Sequence, residues 1–199
     1  LAAGTTCVAD MGNYQGILSL VPETGLQLHI SPEVVATPAQ GQETLFDQAL
    51  EMVEQIQSLD SKRVRAGLAP LSAYALSRHL LKIVSQHALQ SGATLKIHAA
   101  ESFAEMEFFF ESKGEIANNF FPSIGWTEEL PLAQRKTPVQ YLDSLGMLAA
   151  RPSLIGCVQL ADGDIELMAT TQTRAIHCPT VSRTFELGAA PVKKLRQKG

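Results

Sequence analysis

The sharpest chemical pattern in the sequence is the pair His98 and Glu101, which are separated by two alanines. A histidine that closes a parallel strand can present a ring nitrogen to a metal ion. A carboxylate three residues later, at the start of the next helix, can move a proton between a metal-bound water and a leaving group. His-x-x-Glu is a frequent pattern, and an acidic residue is favoured at a helix N-terminus anyway. The pair is therefore a candidate catalytic site, and the alternative is that both residues have a purely structural role.

Other polar residues follow further apolar runs. Tyr74 comes after the run that Pro70 ends, and His177 and Cys178 come directly before Pro179. If these runs are parallel strands, the residues after them gather at one edge of the sheet, where functional groups are usually found. His177 could supply a ligand and Cys178 a thiol nucleophile, whereas a packed structural turn is the alternative.

The elements that must position these residues alternate along the chain. Short apolar or β-branched runs predict six strands, at 5–11, 26–35, 64–69, 94–99, 153–158 and 174–178. Helical patterns lie between them, at 14–23, 43–59, 77–91, 101–113, from 137, at 164–169 and at 191–198. Thr137 is a predicted N-cap with Pro138 at the first helical position.

Strands that do not alternate in polarity and are separated by helices predict a parallel sheet covered by helices, an α/β fold. A doubly wound sheet and a barrel both fit this pattern. No glycine-rich phosphate loop follows a strand, which argues against a nucleotide-binding sheet. Residues 1–199 are interpreted as one domain.

Composition narrows the class of partner. The chain is 45% hydrophobic and 18% charged, with a net charge of −4, so no broad basic surface favours nucleic acid. No run approaches the roughly 20 apolar residues of a membrane span. The three cysteines lie in apolar runs that are interpreted as buried strands, which predicts reduced thiols and a cytoplasmic protein.

Six short motifs follow one another along the chain. They are AGTT at 3–6, GLAP at 67–70, IHAAES at 97–102, TPVQYL at 137–142, IHCP at 176–179 and GAAPV at 188–192. In this order they resemble the metal-dependent amidohydrolase superfamily. The similarity is greatest to its deaminase and chlorohydrolase branch, which includes adenosylhomocysteine, aminofutalosine and guanine deaminases.

The resemblance implies a (β/α)8 barrel of the TIM type, with strands two to seven present here. It also implies one divalent metal, zinc or iron, and hydrolysis of a C–N bond in a small cyclic or nucleoside-like substrate. His98 matches a metal ligand and Glu101 the catalytic acid and base. Tyr74 and His177 match the substrate side of the site.

Several residues depart from the family pattern. The family's His-x-His pair on strand one and its aspartate on strand eight are not found, and glycine and leucine stand at Gly156 and Leu71 where the family carries histidines. We therefore expect a deaminase-like hydrolase that is inactive as the isolated chain. The alternatives are a catalytically degenerate binding or scaffold protein, and a cysteine enzyme using Cys178 and His98. Two open sheet edges further predict that the chain forms a homo-oligomer, rearranges its strands, or is one part of a larger protein.

Overall fold

The computed structural model describes residues 3–13, 16, 18–19, 25–35, 42–59, 62–126 and 129–199. These residues form a curled, parallel half-barrel whose strands follow the order β1-β2-β4-β5-β6-β7, with the short β3 paired to β4. The strands are β1 (Cys7–Met11), β2 (Gln27–Ser31), β3 (Glu33–Val34), β4 (Val64–Pro70), β5 (Thr94–Ala99), β6 (Ser153–Gly156) and β7 (Arg174–Ile176). The predicted α/β class and its six strands are confirmed, and Pro32 divides the second run into β2 and β3.

Helices cover the connections between the strands. They are α1 (Gln42–Gln57), α2 (Arg78–Ser91), α3 (Phe103–Glu111), α4 (Phe121–Ser123), α5 (Pro138–Ser144), α6 (Asp162–Thr171), α7 (Pro179–Thr184) and α8 (Val192–Lys198). A π-helical turn (Ile116–Phe120) precedes α4, and a 3-10 turn (Met147–Ala150) follows α5. Most of the helix predicted at 14–23 lies outside the described residues.

One local prediction is confirmed and another is wrong. Thr137 caps α5, where its side chain accepts the N–H of Gln140 as predicted. The segment after Pro179 was predicted as a turn, but it forms α7, because proline at the first helical position is pre-set for the helix and loses no hydrogen bond there. None of the helices in the described part of the chain is long and apolar enough to cross a membrane.

The cysteines differ in environment. Cys157 is buried, Cys178 is half-buried and Cys7 is exposed, so the prediction that all three lie in buried strands was wrong for Cys7 and for Cys178. The reason is that Cys7 begins β1, which is an edge strand of the described sheet. The strand β7, at the other edge, is also exposed along its length. The homo-oligomer expected from these edges stays a prediction.

The two faces of the sheet are chemically different. On β5, Leu95 and Ile97 belong to the main hydrophobic cluster, whereas Thr94, Lys96 and His98 alternate with them and face the concave side. Burial lowers the pKa of Lys96, and the negative charge of Asp10 opposes that effect. The concave face is therefore the polar one, and it is the face that carries His98.

Side chains of β2 and β5 meet across the strand between them. The His29 Nε2 atom lies 2.6 Å from Thr94 Oγ1, and the Lys96 ammonium donates to Ser31 Oγ at 2.7 Å. Gly67 of β4 lies beneath these contacts, and a Cβ there would stand 2.6 Å from Thr94 Oγ1 and 2.8 Å from Ser31 Oγ. These contacts between β2 and β5 thus depend on the absence of a side chain at residue 67.

We expect Gly67→Ala to destabilise the protein by about 1–3 kcal/mol, because the added methyl group collides with the neighbouring strand. Denaturant unfolding measures this change. Gly163→Ala is the matched control, since Gly163 lies in α6 and its Cβ would meet nothing within 4 Å. That control should be neutral or stabilising by up to about 1 kcal/mol. Equal effects of the two substitutions would contradict the packing described at Gly67.

Candidate active site

His98 is fixed at the carboxyl end of β5 by its backbone. The His98 N–H donates to the carbonyl of Leu71 at 3.1 Å. The segment after β4 therefore fixes the position of the His98 backbone relative to β4. The His98 Nδ1 atom lies 3.0 Å from Glu101 Oε1, within ion-pair distance, and each side chain is about 30% exposed. Nδ1 is itself buried, and among the residues that the structure describes no group is aligned to form a directed hydrogen bond with it. The nearby carboxylate of Glu101 raises the pKa of His98, although burial opposes it.

A tight turn after β5 brings Glu101 back towards His98. Ala100 has φ +54, in the left-handed region that residues with a Cβ adopt at a cost of about 1–2 kcal/mol. The Ala100 carbonyl accepts the N–H groups of Val158 and Gln159, both at 2.8 Å. These hydrogen bonds to the segment after β6 hold the strained residue. Glu101 therefore lies in the turn before α3, whereas the sequence predicted it at the first helical position.

The side chain of Glu105 holds this turn by a hydrogen bond to its backbone. It is buried, its Oε2 atom accepts the N–H of Glu101 at 2.8 Å, and Ser102 Oγ accepts the N–H of Glu105 at 3.2 Å. Burial raises the pKa of Glu105 to about 7, and hydrogen bonds from the backbone of Glu101 and Ala100 oppose that increase. Its other oxygen, Oε1, has no hydrogen-bond partner within the described part of the chain. Ser102 and Glu105 match the Ser-x-x-Glu capping pattern, a signal that could have identified Glu105.

Gly156 ends β6 directly beside this group. Its φ is +98, and a Cβ there would stand 2.1 Å from Glu101 Cγ and 2.8 Å from Glu101 Oε1. The side chain of Glu101 thus fills the space next to Gly156. The sequence showed Gly156 as a departure from the family pattern and gave no indication of this contact.

Tyr74 lies in an aromatic cluster next to the site. Its ring meets Phe120 edge to face, with centroids 5.2 Å apart, and Phe108 at 6.4 Å. Burial raises the pKa of Tyr74, and the negative charge of Glu105 adds to the increase. The cluster extends through Phe121 to Trp126, with those two rings 5.1 Å apart. These rings pack against one another beside the polar turn that contains Glu101.

His177 and Cys178 follow β7, two strands away from β5. His177 is half-buried, and its buried Nδ1 atom finds no hydrogen-bond partner among the residues described. Cys178 directly precedes α7, and its carbonyl accepts a hydrogen bond from the hydroxyl of Ser182 at 3.1 Å.

Burial raises the pKa of the Cys157 thiol to about 12, so that thiol stays protonated at neutral pH. The contacts of the site therefore join His98, Glu101, Glu105 and Gly156, and Tyr74 stands beside them.

The donors for a metal ion are few. Within the part of the chain that the structure describes, no group of three or more His, Cys, Asp and Glu side chains is placed to hold one. A catalytic zinc needs about three protein ligands. His98 could serve as one metal ligand, but the described residues alone do not fit a complete metal site.

The polar groups of this half-barrel lie at the carboxyl ends of its parallel strands, which is where TIM-barrel enzymes have their active sites. Residues 1–199 match the family model of the amidohydrolase family, and the chain belongs to this family. The predicted resemblance to its deaminase and chlorohydrolase branch is confirmed.

One similar relative is the aminodeoxyfutalosine deaminase of Deinococcus radiodurans, 32% identical over 149 residues, which are 72% of this chain and 36% of that protein. The aminofutalosine deaminase structure from Helicobacter pylori shares the fold at a TM-score of 0.83 and 20% identity, over 99% of this chain and 48% of that one. An adenosine deaminase from Xanthomonas campestris with bound zinc has a TM-score of 0.76 and 21% identity, over 98% and 40%. The chain thus spans less than half the length of these proteins.

The raised pKa of Glu105 predicts a pH-dependent stability. Because the pKa is higher in the folded protein than its ordinary 4.5, folding favours the protonated acid, and stability falls as pH rises from about 4.5 to about 7. The shift corresponds to about 3 kcal/mol across that range. Glu105→Gln removes this contribution, so we expect the difference in unfolding free energy between wild type and variant to change across it.

Denaturant unfolding at pH values from 4.5 to 8 measures the difference. Glu54→Gln removes a carboxylate from the exposed surface of α1 and serves as the control. If the unfolding free energies of wild type and Glu105→Gln change in parallel over the whole pH range, the pKa of Glu105 is not raised by burial.

Proposed function

We propose that this chain forms part of a deaminase-like hydrolase that splits a C–N bond in a small, nucleoside-like substrate. Membership of the amidohydrolase family gives the reaction class, and the placement of Glu101 Oε1 3.0 Å from His98 Nδ1 is the observation that carries the proposal. The deaminases among its relatives support a nucleoside-like substrate.

Glu101 is the proposed proton-transfer group. Its carboxylate is partly exposed, so that it can reach a bound substrate, while its backbone is fixed by Glu105. It would accept a proton as the oxygen of water bonds to the ring carbon, and it would return that proton to the amine as the C–N bond breaks and ammonia leaves. Proton transfer of this kind contributes about 10²- to 10⁴-fold to a rate.

His98 is the proposed metal ligand, and Tyr74 and His177 are the proposed substrate contacts. A divalent metal, zinc or iron, is expected from the family and would supply Lewis-acid chemistry. Because the described residues offer too few donors for it, we assign the metal no step here and propose that residues 1–199 alone do not turn over substrate.

A scaffold or binding protein is the second candidate function. Two observations favour it. The described residues supply few metal donors, and a glycine ends β6 at the position where the family carries a histidine. Stoichiometric metal in the purified protein would argue strongly against this candidate.

The proposal is tested on protein produced from the complete open reading frame. We expect ammonia release from at least one of adenosine, 5′-methylthioadenosine, aminodeoxyfutalosine and guanine, together with about one metal ion per chain by elemental analysis. Glu101→Gln should lower the rate about 100-fold or more and retain the metal. His98→Ala should lose the metal.

Two comparisons make this test decisive. Glu166→Gln removes an exposed carboxylate that contacts Lys198, and it should leave the rate unchanged. Residues 1–199 alone should release no ammonia. Full activity of Glu101→Gln would exclude Glu101 as the proton-transfer group, and the absence of both metal and activity in the wild-type protein would favour the scaffold.

A further inference from the structure

Two buried oxygen atoms next to the site have no hydrogen-bond partner among the residues that the structure describes. They are Ser72 Oγ and Glu105 Oε1, and each of the two residues is only 2% exposed. Buried polar groups in folded proteins are almost always hydrogen-bonded, because an unsatisfied group has lost its hydrogen bonds to water. Both oxygens therefore need a partner nearby.

Ser72 lies between the polar residues of the site. Its backbone pairs with His98 as an isolated parallel bridge, and Tyr74 follows two residues later. Burial raises the pKa of Tyr74, the negative charge of Glu105 adds to the increase, and the hydroxyl of Ser72 opposes it. The charge of Glu105 also adds to the stronger effect of Glu101 on the pKa of His98. The Ser72 hydroxyl, the Tyr74 phenol and the Glu105 carboxylate thus form one polar cluster.

The chemistry of these three groups determines the direction of their hydrogen bonds. Above its pKa of about 7, the Glu105 carboxylate has no proton and can only accept. The Ser72 hydroxyl and the Tyr74 phenol each donate one hydrogen and can also accept one, and the raised pKa of Tyr74 keeps its phenol protonated at neutral pH. If all three groups are paired, both hydroxyl protons point towards Glu105, whichever of the two residues lies next to the carboxylate.

We propose that Ser72 and Glu105 are positioning residues that direct the Tyr74 proton into this cluster and leave the Tyr74 oxygen as an acceptor for a substrate. The inference rests on the proposed function, in which Tyr74 contacts the substrate. An acceptor at this place selects a substrate that presents an N–H or O–H group to it. A substrate group that can only accept is disfavoured, because two acceptors would face each other unpaired.

The 13Cζ resonance of Tyr74 reports on the hydrogen bonds of its phenol, and Tyr74→Phe identifies this resonance by removing it. In 13C-tyrosine-labelled protein from the complete open reading frame at pH 8.5, Ser72→Ala and Glu105→Gln should each move the resonance. Ser182→Ala is the matched control, because Ser182 is a buried serine that donates to the carbonyl of Cys178 instead, and it should leave the resonance in place. A resonance that does not move in either Ser72→Ala or Glu105→Gln would overturn the inference.

A double-mutant cycle measures the coupling between the two hydroxyl groups. Tyr74→Phe should raise the unfolding equilibrium constant at least about threefold more in wild type than in Ser72→Ala protein, where the partner of the phenol is already gone. Tyr141→Phe is the control, because the Tyr141 phenol is buried near Arg78, whose charge opposes the effect of burial on its pKa. That control should cost the same in both backgrounds. If Ser72→Ala does not fold, Ser72→Cys replaces it, because a thiol is a weaker donor.

Equal costs of Tyr74→Phe in the two backgrounds would also overturn the inference. Neither measurement uses activity, so a failure of the proposed function would be seen separately as a missing release of ammonia. In active protein, Ser72→Ala should raise KM for the substrate by a larger factor than it lowers kcat. A lower kcat with an unchanged KM would show that the Tyr74 oxygen does not serve substrate binding.

Discussion

The hydrogen bond from the Glu101 amide to the buried carboxylate of Glu105 is the constraint on which the site depends. A carboxylate removed from water is costly unless backbone donors satisfy it, so it binds the turn before its own helix. That turn contains a left-handed alanine, which would relax if it were released. The same contact therefore joins the start of α3 to the end of β5 and directs Glu101 towards His98.

The curl of the sheet determines which residues share the site. The absence of a side chain at Gly67 allows side chains of β2 and β5 to meet above β4. Because side chains alternate along a strand, His98 falls on the concave face while Ile97 and Ala99 are buried against the helices.

The sequence was informative where a structure is determined by neighbouring residues. Strand β5 was predicted at its observed bounds, and the Thr137 cap was predicted from its local pattern. The pair His98 and Glu101 was identified because only two residues separate its members. The short helix α7 was missed because proline was interpreted as the end of a strand rather than also as the start of a helix.

The contacts that define the site are of another kind. Glu101 and Gly156 lie far apart in sequence, and no local pattern shows that one fills the space next to the other. The departure at Gly156 was visible as a missing histidine, whereas its contact with Glu101 needed the paired strands β5 and β6. Likewise, Leu71 lacks a histidine side chain, but its carbonyl positions His98.

The turn from Ala100 to Glu101 is held in place by Glu105 and by the segment after β6. Amide hydrogen exchange of the Glu101 N–H, measured by NMR, reports whether this turn opens. We predict protection comparable to that of the buried amides of β5, with a large loss in Glu105→Ala. Exchange at the rate of an exposed loop in the wild-type protein would contradict the account.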